Sequence, residues 1–222
     1  MAQSPDQAGE ATTSPASNMR AWTNSQRGLP SKVLELSYKL PIPTLVNPTD
    51  VLVKIHYAAL NPGSLFITRT IPMLFRTNPS IPEMDFSGTI VKTGNKVPVS
   101  RKLVGGAAVF GSIPIGQLIT SGKGALAEYV AVPAENVCLK PDSVPYDQAA
   151  GLPIAGISAL SVIDLAKLKL GYRVLVNGAS GGIGSMVVQL AKATVGEDGK
   201  VVAVCSSKNF EMVKGLGADE VF

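Results

Sequence analysis

An apolar run, a glycine turn and an amphipathic segment follow one another without a break between Val174 and Lys192. The run and turn read Val174-Leu175-Val176-Asn177-Gly178-Ala179-Ser180-Gly181-Gly182-Ile183-Gly184, and Ser185 to Lys192 continue them. A strand that feeds a glycine turn and then a helix offers bare backbone N–H groups and a helix N-terminus to a pyrophosphate. The Gly-x-Gly-x-x-Gly frame falls on Ala179, Gly181 and Gly184, with alanine in the first place. Gly181 and Gly182 let the backbone approach a pyrophosphate, and Gly184 permits close packing of helix on strand. Ala179, Ser180, Gly181, Gly182, Ile183 and Gly184 are therefore the candidate cofactor-binding loop.

The surrounding pattern supports that role. After Pro145 a short helix is expected over 146–151. A second helix is expected over 155–168, with Ile157, Leu160, Ile163, Leu165 and Leu168 as its core-facing stripe and Gly171 as its C-terminal cap. Strand 172–177, helix 182–193, strand 200–205, helix 208–215 and a third strand from Glu220 follow, an alternation that builds a parallel sheet. The second strand ends in Cys205-Ser206-Ser207-Lys208. A site for NAD usually places Asp or Glu there to bond the ribose hydroxyls. Here two hydroxyls and an ammonium are available to a 2′-phosphate, so Ser206, Ser207 and Lys208 select NADP. A serine at this point also suits the cap of the next helix. The chain stops at Phe222, two strands and a stub into a sheet that holds six when complete.

Residues 19–144 read as β structure cut by proline and glycine. Val51, Val53, Ile55 and Tyr57 alternate with Leu52, Lys54 and His56, the period of a half-buried strand. Further strands are expected at 20–23, 32–38, 86–92, 103–110, 125–132 and 137–140, which suggests a compact barrel-like domain. Residues 1–18 contain no large aliphatic side chain and are expected to be disordered. The organisation is thus a tail at 1–18, a β domain at 19–144 and a partial nucleotide-binding domain at 145–222.

Several classes of function are excluded by what the chain lacks. Its net charge is +4 and aromatic residues make up 5%, with the basic residues scattered, so no nucleic-acid partner is expected. The uncharged stretches Leu103 to Ser121 and Val174 to Ala191 are broken by glycine and proline, so no membrane span is expected. No arginine precedes Arg20 and no apolar core marks a leader, which points to a cytoplasmic location. Cys138, Cys205 and His56 make neither a disulfide framework nor a metal spacing, so no metal is expected.

Motifs spread over residues 19–222 resemble the medium-chain dehydrogenase/reductase superfamily, in its zinc-free, quinone oxidoreductase-like and enoyl reductase-like branch. Ala58-Ala59-Leu60-Asn61-Pro62 is similar to its Asn-Pro segment, and Pro82 with Asp85-Phe86-Ser87-Gly88 to its proline–acid–glycine segment. Gly124 to Val130 resembles its Ala-Glu-Tyr strand, Ile157-Ser158-Ala159 its Thr-Ala at the start of the long helix, and Gly215 to Asp219 its Leu-Gly-Ala-Asp close. The resemblance implies an α/β plus β architecture: an N-terminal GroES-like β-barrel domain, then the first half of a Rossmann sheet. It implies hydride transfer from NADPH to a quinone or α,β-unsaturated carbonyl, with Asn61 and Ser158 near the nicotinamide as candidate catalytic residues. Ser158 also suits a hydroxyl bonded within its own helix turn. Asp85 suits a turn-holding role, and His56 a packing or surface role.

Departures from the family pattern matter equally. Asn61 to Ser64 and Met84 stand where zinc-dependent relatives carry ligands, and Ser64 and Phe66 replace an acid and a tyrosine. Superfamily members commonly dimerise through a part of the nucleotide domain beyond this chain, so the resemblance implies a homodimer for full-length members only. The glycine turn also resembles that of short-chain dehydrogenases, but no tyrosine here has lysine four residues on. Two functions stay open: a zinc-independent NADPH reductase, and a non-catalytic fragment that acts as a binding module or is inert.

Overall fold

The computed structural model describes residues 18–222. The tail expected at 1–18 lies outside the described residues apart from Asn18, which opens the first strand. The elements run in order as β1 (Asn18–Asn24), α1 (Pro30–Val33), β2 (Leu34–Pro41), β3 (Asp50–Ala58), α2 (Pro62–Thr70), β4 (Asp85–Thr93), β5 (Ala108–Ser112) and α3 (Ile115–Ser121). They continue as β6 (Tyr129–Pro133), β7 (Val137–Leu139), α4 (Tyr146–Ala150), α5 (Pro153–Ala166), β8 (Arg173–Asn177), α6 (Gly182–Val195), β9 (Lys200–Val204), α7 (Phe210–Gly215) and β10 (Glu220–Val221).

β3 to β7 form an antiparallel sheet in the order β6-β3-β4-β5-β7, while β1 and β2 make a separate ribbon. Among the described residues no ladder joins β6 to β7. The barrel expected from the sequence is therefore an open sheet, with the ribbon hydrogen-bonded beside the start of β6 through Trp22 N–H to Leu126 O and Glu128 N–H to Arg20 O. Val51, Val53, Phe86, Val109, Val130, Val132 and Val137 are wholly buried in its core. The alternation expected in β3 breaks twice. Leu52 is buried along with Val51 and Val53, and a bulge that leaves His56 without a partner in β4 precedes Tyr57, which is exposed. The strand expected from 32 begins at Leu34, because Pro30 starts a helical turn that occupies 30–33. Those expected over 103–110 and 125–132 start later and end slightly further on, at 108–112 and 129–133.

The second half has the expected parallel strands, in the order β10-β9-β8. Val176, Val188, Val195, Val201, Ala203 and Val213 fill its core. Asp219 locks the sheet to α6 by accepting the Val201 N–H at 2.7 Å and the Lys192 ammonium at 2.9 Å. Those bonds hold its carboxyl below the usual carboxylate range.

Two expectations for α5 are corrected. Ile157, Leu160 and Leu165 face solvent, while Ala159 is buried and Ile163 and Leu168 are partly so. The helix is apolar on all sides, so its periodicity carried no direction, and the small face of Gly156 and Ala159 lets α6 approach. Its C-cap is Lys167, in the left-handed conformation, and Gly171 serves the next turn, where its N–H reaches Val195 O at 2.9 Å. No helix among the described residues is long and apolar enough to cross a membrane.

Candidate active site

The glycine turn sits where β8 ends. Gly178 takes φ +70°, a conformation that a side chain rarely tolerates, and turns the chain away from the sheet. The Gly181 N–H closes the turn on Gly178 O at 3.0 Å, and α6 opens at Gly182 with no side-chain cap. The N–H groups of the first helical turn have no partner inside a helix. Here they belong to Gly182, Ile183 and Gly184, on an exposed corner formed by Gly181, Gly182 and Ile183. Gly184 is required by contact. A Cβ there would strike the Gly178 carbonyl oxygen and lie 2.9 Å from its carbon and 3.0 Å from Ala179 Cα. Ala179, by contrast, is wholly buried and donates its N–H to Val204 O at 3.0 Å, so it supports the turn from beneath. Ser180 is half-buried.

The Ala179–Val204 bond also brings the end of β9 beside the turn. Ser206, Ser207 and Lys208 follow it, all exposed, with Ser207–Asn209 forming a 3-10 turn. All three thus follow directly on the strand end beside which the glycine turn is held.

A cavity of about 760 Å³ opens between the two halves of the molecule. Asn61, Gly63 and Met84 border it on one side, Ile154 and Ala155 come from α5, and Gly178 and Gly181 to Gly184 face them. Asn61 and the glycine corner, far apart in sequence, therefore share one space. Ser158 does not border it. Its Oγ donates to Ile154 O at 2.7 Å, within its own helix. Lining atoms are mostly apolar, and Leu175 on the β8 wall is exposed.

Asn61 is the N-cap residue of α2, and two buried carboxylates hold it. Glu83 Oε2 accepts its backbone N–H at 3.0 Å, and Asp85 Oδ2 accepts its side-chain Nδ2–H at 3.1 Å. The same Asp85 oxygen accepts the Ile154 N–H at 3.2 Å, at the N-terminus of α5. The turn-holding role expected for Asp85 is thus extended across the two halves. Burial raises both carboxyl pKa values, and the hydrogen bonds oppose that shift. Glu83, held at φ +69°, is the residue that sequence reasoning missed. The signal available was a pair of acids, Glu83 and Asp85, in a stretch otherwise without charge from Thr77 to Val91. His56 packs on the outer face of the sheet, its Nε2 2.9 Å from Thr89 Oγ1 and its ring 4.7 Å from that of Tyr146. Among the described residues no group of three or more His, Cys, Asp or Glu is placed to hold a metal ion.

Residues 47–142 match the alcohol dehydrogenase GroES-like domain family. The chain is 32% identical over 239 residues to a trans-enoyl reductase of Penicillium oxalicum, covering 94% of this chain and 62% of the relative. It is 35% identical over 208 residues to an NADPH-dependent alkenal/one oxidoreductase of Arabidopsis thaliana, covering 90% and 51%. Among solved structures, the quinone oxidoreductase from Coxiella burnetii superposes with a TM-score of 0.79 at 29% identity, covering 92% of this chain and 62% of that one. The chain thus spans 51% to 62% of the length of these proteins.

Proposed function

We propose that this chain, which belongs to the medium-chain dehydrogenase/reductase superfamily, binds NADPH and acts in the zinc-independent reduction of a quinone or an α,β-unsaturated carbonyl. The observation that carries this reading is the shared cavity, with Asn61 on one wall and the open N-terminus of α6 on the other. The residues fit the cofactor. Gly182, Ile183 and Gly184 would hold the pyrophosphate by their N–H groups, and Ser206, Ser207 and Lys208 the 2′-phosphate. When bound, the cofactor supplies a hydride. The protein's own part is to hold the acceptor in an apolar space and orient it.

A quinone or enone also needs a proton. No titratable side chain borders the cavity among the described residues, so we assign that proton to water. Zinc independence is supported by the donors present: an amide at Asn61 and a thioether at Met84 suit a divalent zinc poorly beside the usual thiolates and imidazoles. Cys138 and Cys205 are free thiols, in keeping with a reducing, cytoplasmic setting.

The test is fluorescence titration of the purified chain with NADPH and, in parallel, NADH. Saturable binding that favours NADPH, and that Lys208→Ala weakens about tenfold for NADPH alone, is the expected result. Equal binding of both cofactors removes the NADP assignment. No binding by a folded chain removes the whole reading and leaves the binding-module or inert alternative.

A further inference from the structure

The carboxamide of Asn61 is anchored at one end only. Its Nδ2 donates to Asp85 Oδ2, while its oxygen accepts no hydrogen bond from any described residue and is not among the buried atoms left without a partner. An amide has two distinct ends, one donating and one accepting, and its neighbours decide which way it faces. Asp85 decides here. Its Oδ2 already accepts the Ile154 N–H at 3.2 Å, so it is an acceptor in place, and only the nitrogen end of Asn61 can meet it. The backbone of Asn61 is fixed as well. Its N–H is bound by Glu83, and its carbonyl accepts the Ser64 N–H at 3.1 Å.

We propose that Asp85 is a positioning residue that turns the Asn61 carboxamide so that its oxygen faces the cavity as an acceptor for an N–H2 group. On the reading of the cavity as a nicotinamide site, on which this rests, that group is the cofactor's own carboxamide. Asp85 takes one of the two Nδ2 hydrogens and fixes that end of the amide against itself, while the oxygen, which no described residue engages, is the end left for an N–H donor. Asn61 therefore discriminates the cofactor's ring substituent and leaves the acceptor to the apolar walls.

The test compares two probes, NADPH and its reduced 3-acetylpyridine analogue, in which a methyl ketone replaces the amide. Affinities are measured by titration for the unaltered chain, Asn61→Ala, Asp85→Ala and Asp85→Asn. The unaltered chain is expected to prefer NADPH about tenfold, the worth of one hydrogen bond. That preference should fall to about one in Asn61→Ala and Asp85→Ala. It should return in Asp85→Asn, whose amide oxygen can still accept from both Asn61 and Ile154. If Asp85→Ala does not fold, Asp85→Thr keeps a strand-compatible side chain and a hydroxyl near Ile154, and the same loss of preference is expected. A preference unchanged by any substitution, or absent from the unaltered chain while NADPH binds, overturns the Asp85 inference alone. No binding of NADPH to the unaltered chain overturns the cofactor reading and this inference with it.

Discussion

Gly182 and Gly184 stand two residues apart at the start of one helix, yet their substitution by alanine should have opposite effects on stability. At Gly184 the added methyl meets the Gly178 carbonyl and Ala179 Cα, which are backbone atoms and cannot rotate away. Overpacking of this kind costs up to about 3 kcal/mol. The better helix propensity of alanine returns about 1 kcal/mol. The net loss is about 2 kcal/mol, which lowers the melting temperature of a chain of this size by about 4–8 °C. At Gly182 nothing lies within 4 Å of the new methyl, and the backbone there is not left-handed. Gly182→Ala should therefore leave stability unchanged or raise it by up to about 1 kcal/mol. Its methyl would instead crowd the corner assigned to the pyrophosphate, so NADPH affinity should fall. Thermal unfolding followed by circular dichroism, with NADPH titration of each folded variant, separates the two roles. Equal melting temperatures for Gly184→Ala and the unaltered chain would show that helix and strand need no such close approach, and would remove the steric account of the motif.

Two further substitutions probe the β domain. Phe86 is wholly buried in the sheet core, so Phe86→Ala should cost about 3–5 kcal/mol and lower the urea midpoint accordingly. Burial holds the Glu83 and Asp85 carboxyls above their unfolded value of about 4, so the folded state binds more protons and loses stability as pH rises from there through the folded values. Glu83→Gln removes one of these titrations, and urea midpoints measured across that range should fall less steeply with pH than in the unaltered chain; parallel profiles would show that Glu83 does not titrate as its burial requires.

The glycine turn was legible because its backbone geometry restricts which residues can occupy it. Strand 173–177, helix 182–195 and the strand at Glu220 lie within two residues of the positions read from the sequence. The inward face of α5 was not legible. A stripe is visible only against a polar background, and Ile157, Leu160 and Leu165 have little of one. Whether a sheet closes depends on ladders between distant strands, and such pairing leaves no local mark at β6 or β7. Ser158 illustrates a related limit: position in a motif placed it at the site, but χ1 decides whether a hydroxyl points outward or back to its own turn, and here it bonds Ile154 O. The relation of Glu83 to Asn61 is a contact across 22 positions, fixed only once β4 and α2 are assembled.

The carboxylate of Asp85 reaches α5 through a main-chain N–H, not through any side chain of the helix. That link is indifferent to the sequence of α5, so it would survive recombination between relatives that exchanges one second half for another. The seam α4 makes with the β domain is less permissive. Ser87 Oγ donates to Tyr146 O at 2.5 Å, Thr89 and the Tyr146 hydroxyl lie 3.3 Å apart, and Lys140 sits over the Tyr146 ring. A chimaera joined at residue 145 would keep the Ser87 bond, which ends on a main-chain carbonyl, but would part Thr89 and Lys140 from the Tyr146 side chain, whereas one joined after Ala150 inherits all three contacts. The join that keeps these contacts thus falls one short helix later than the change in sequence pattern suggests.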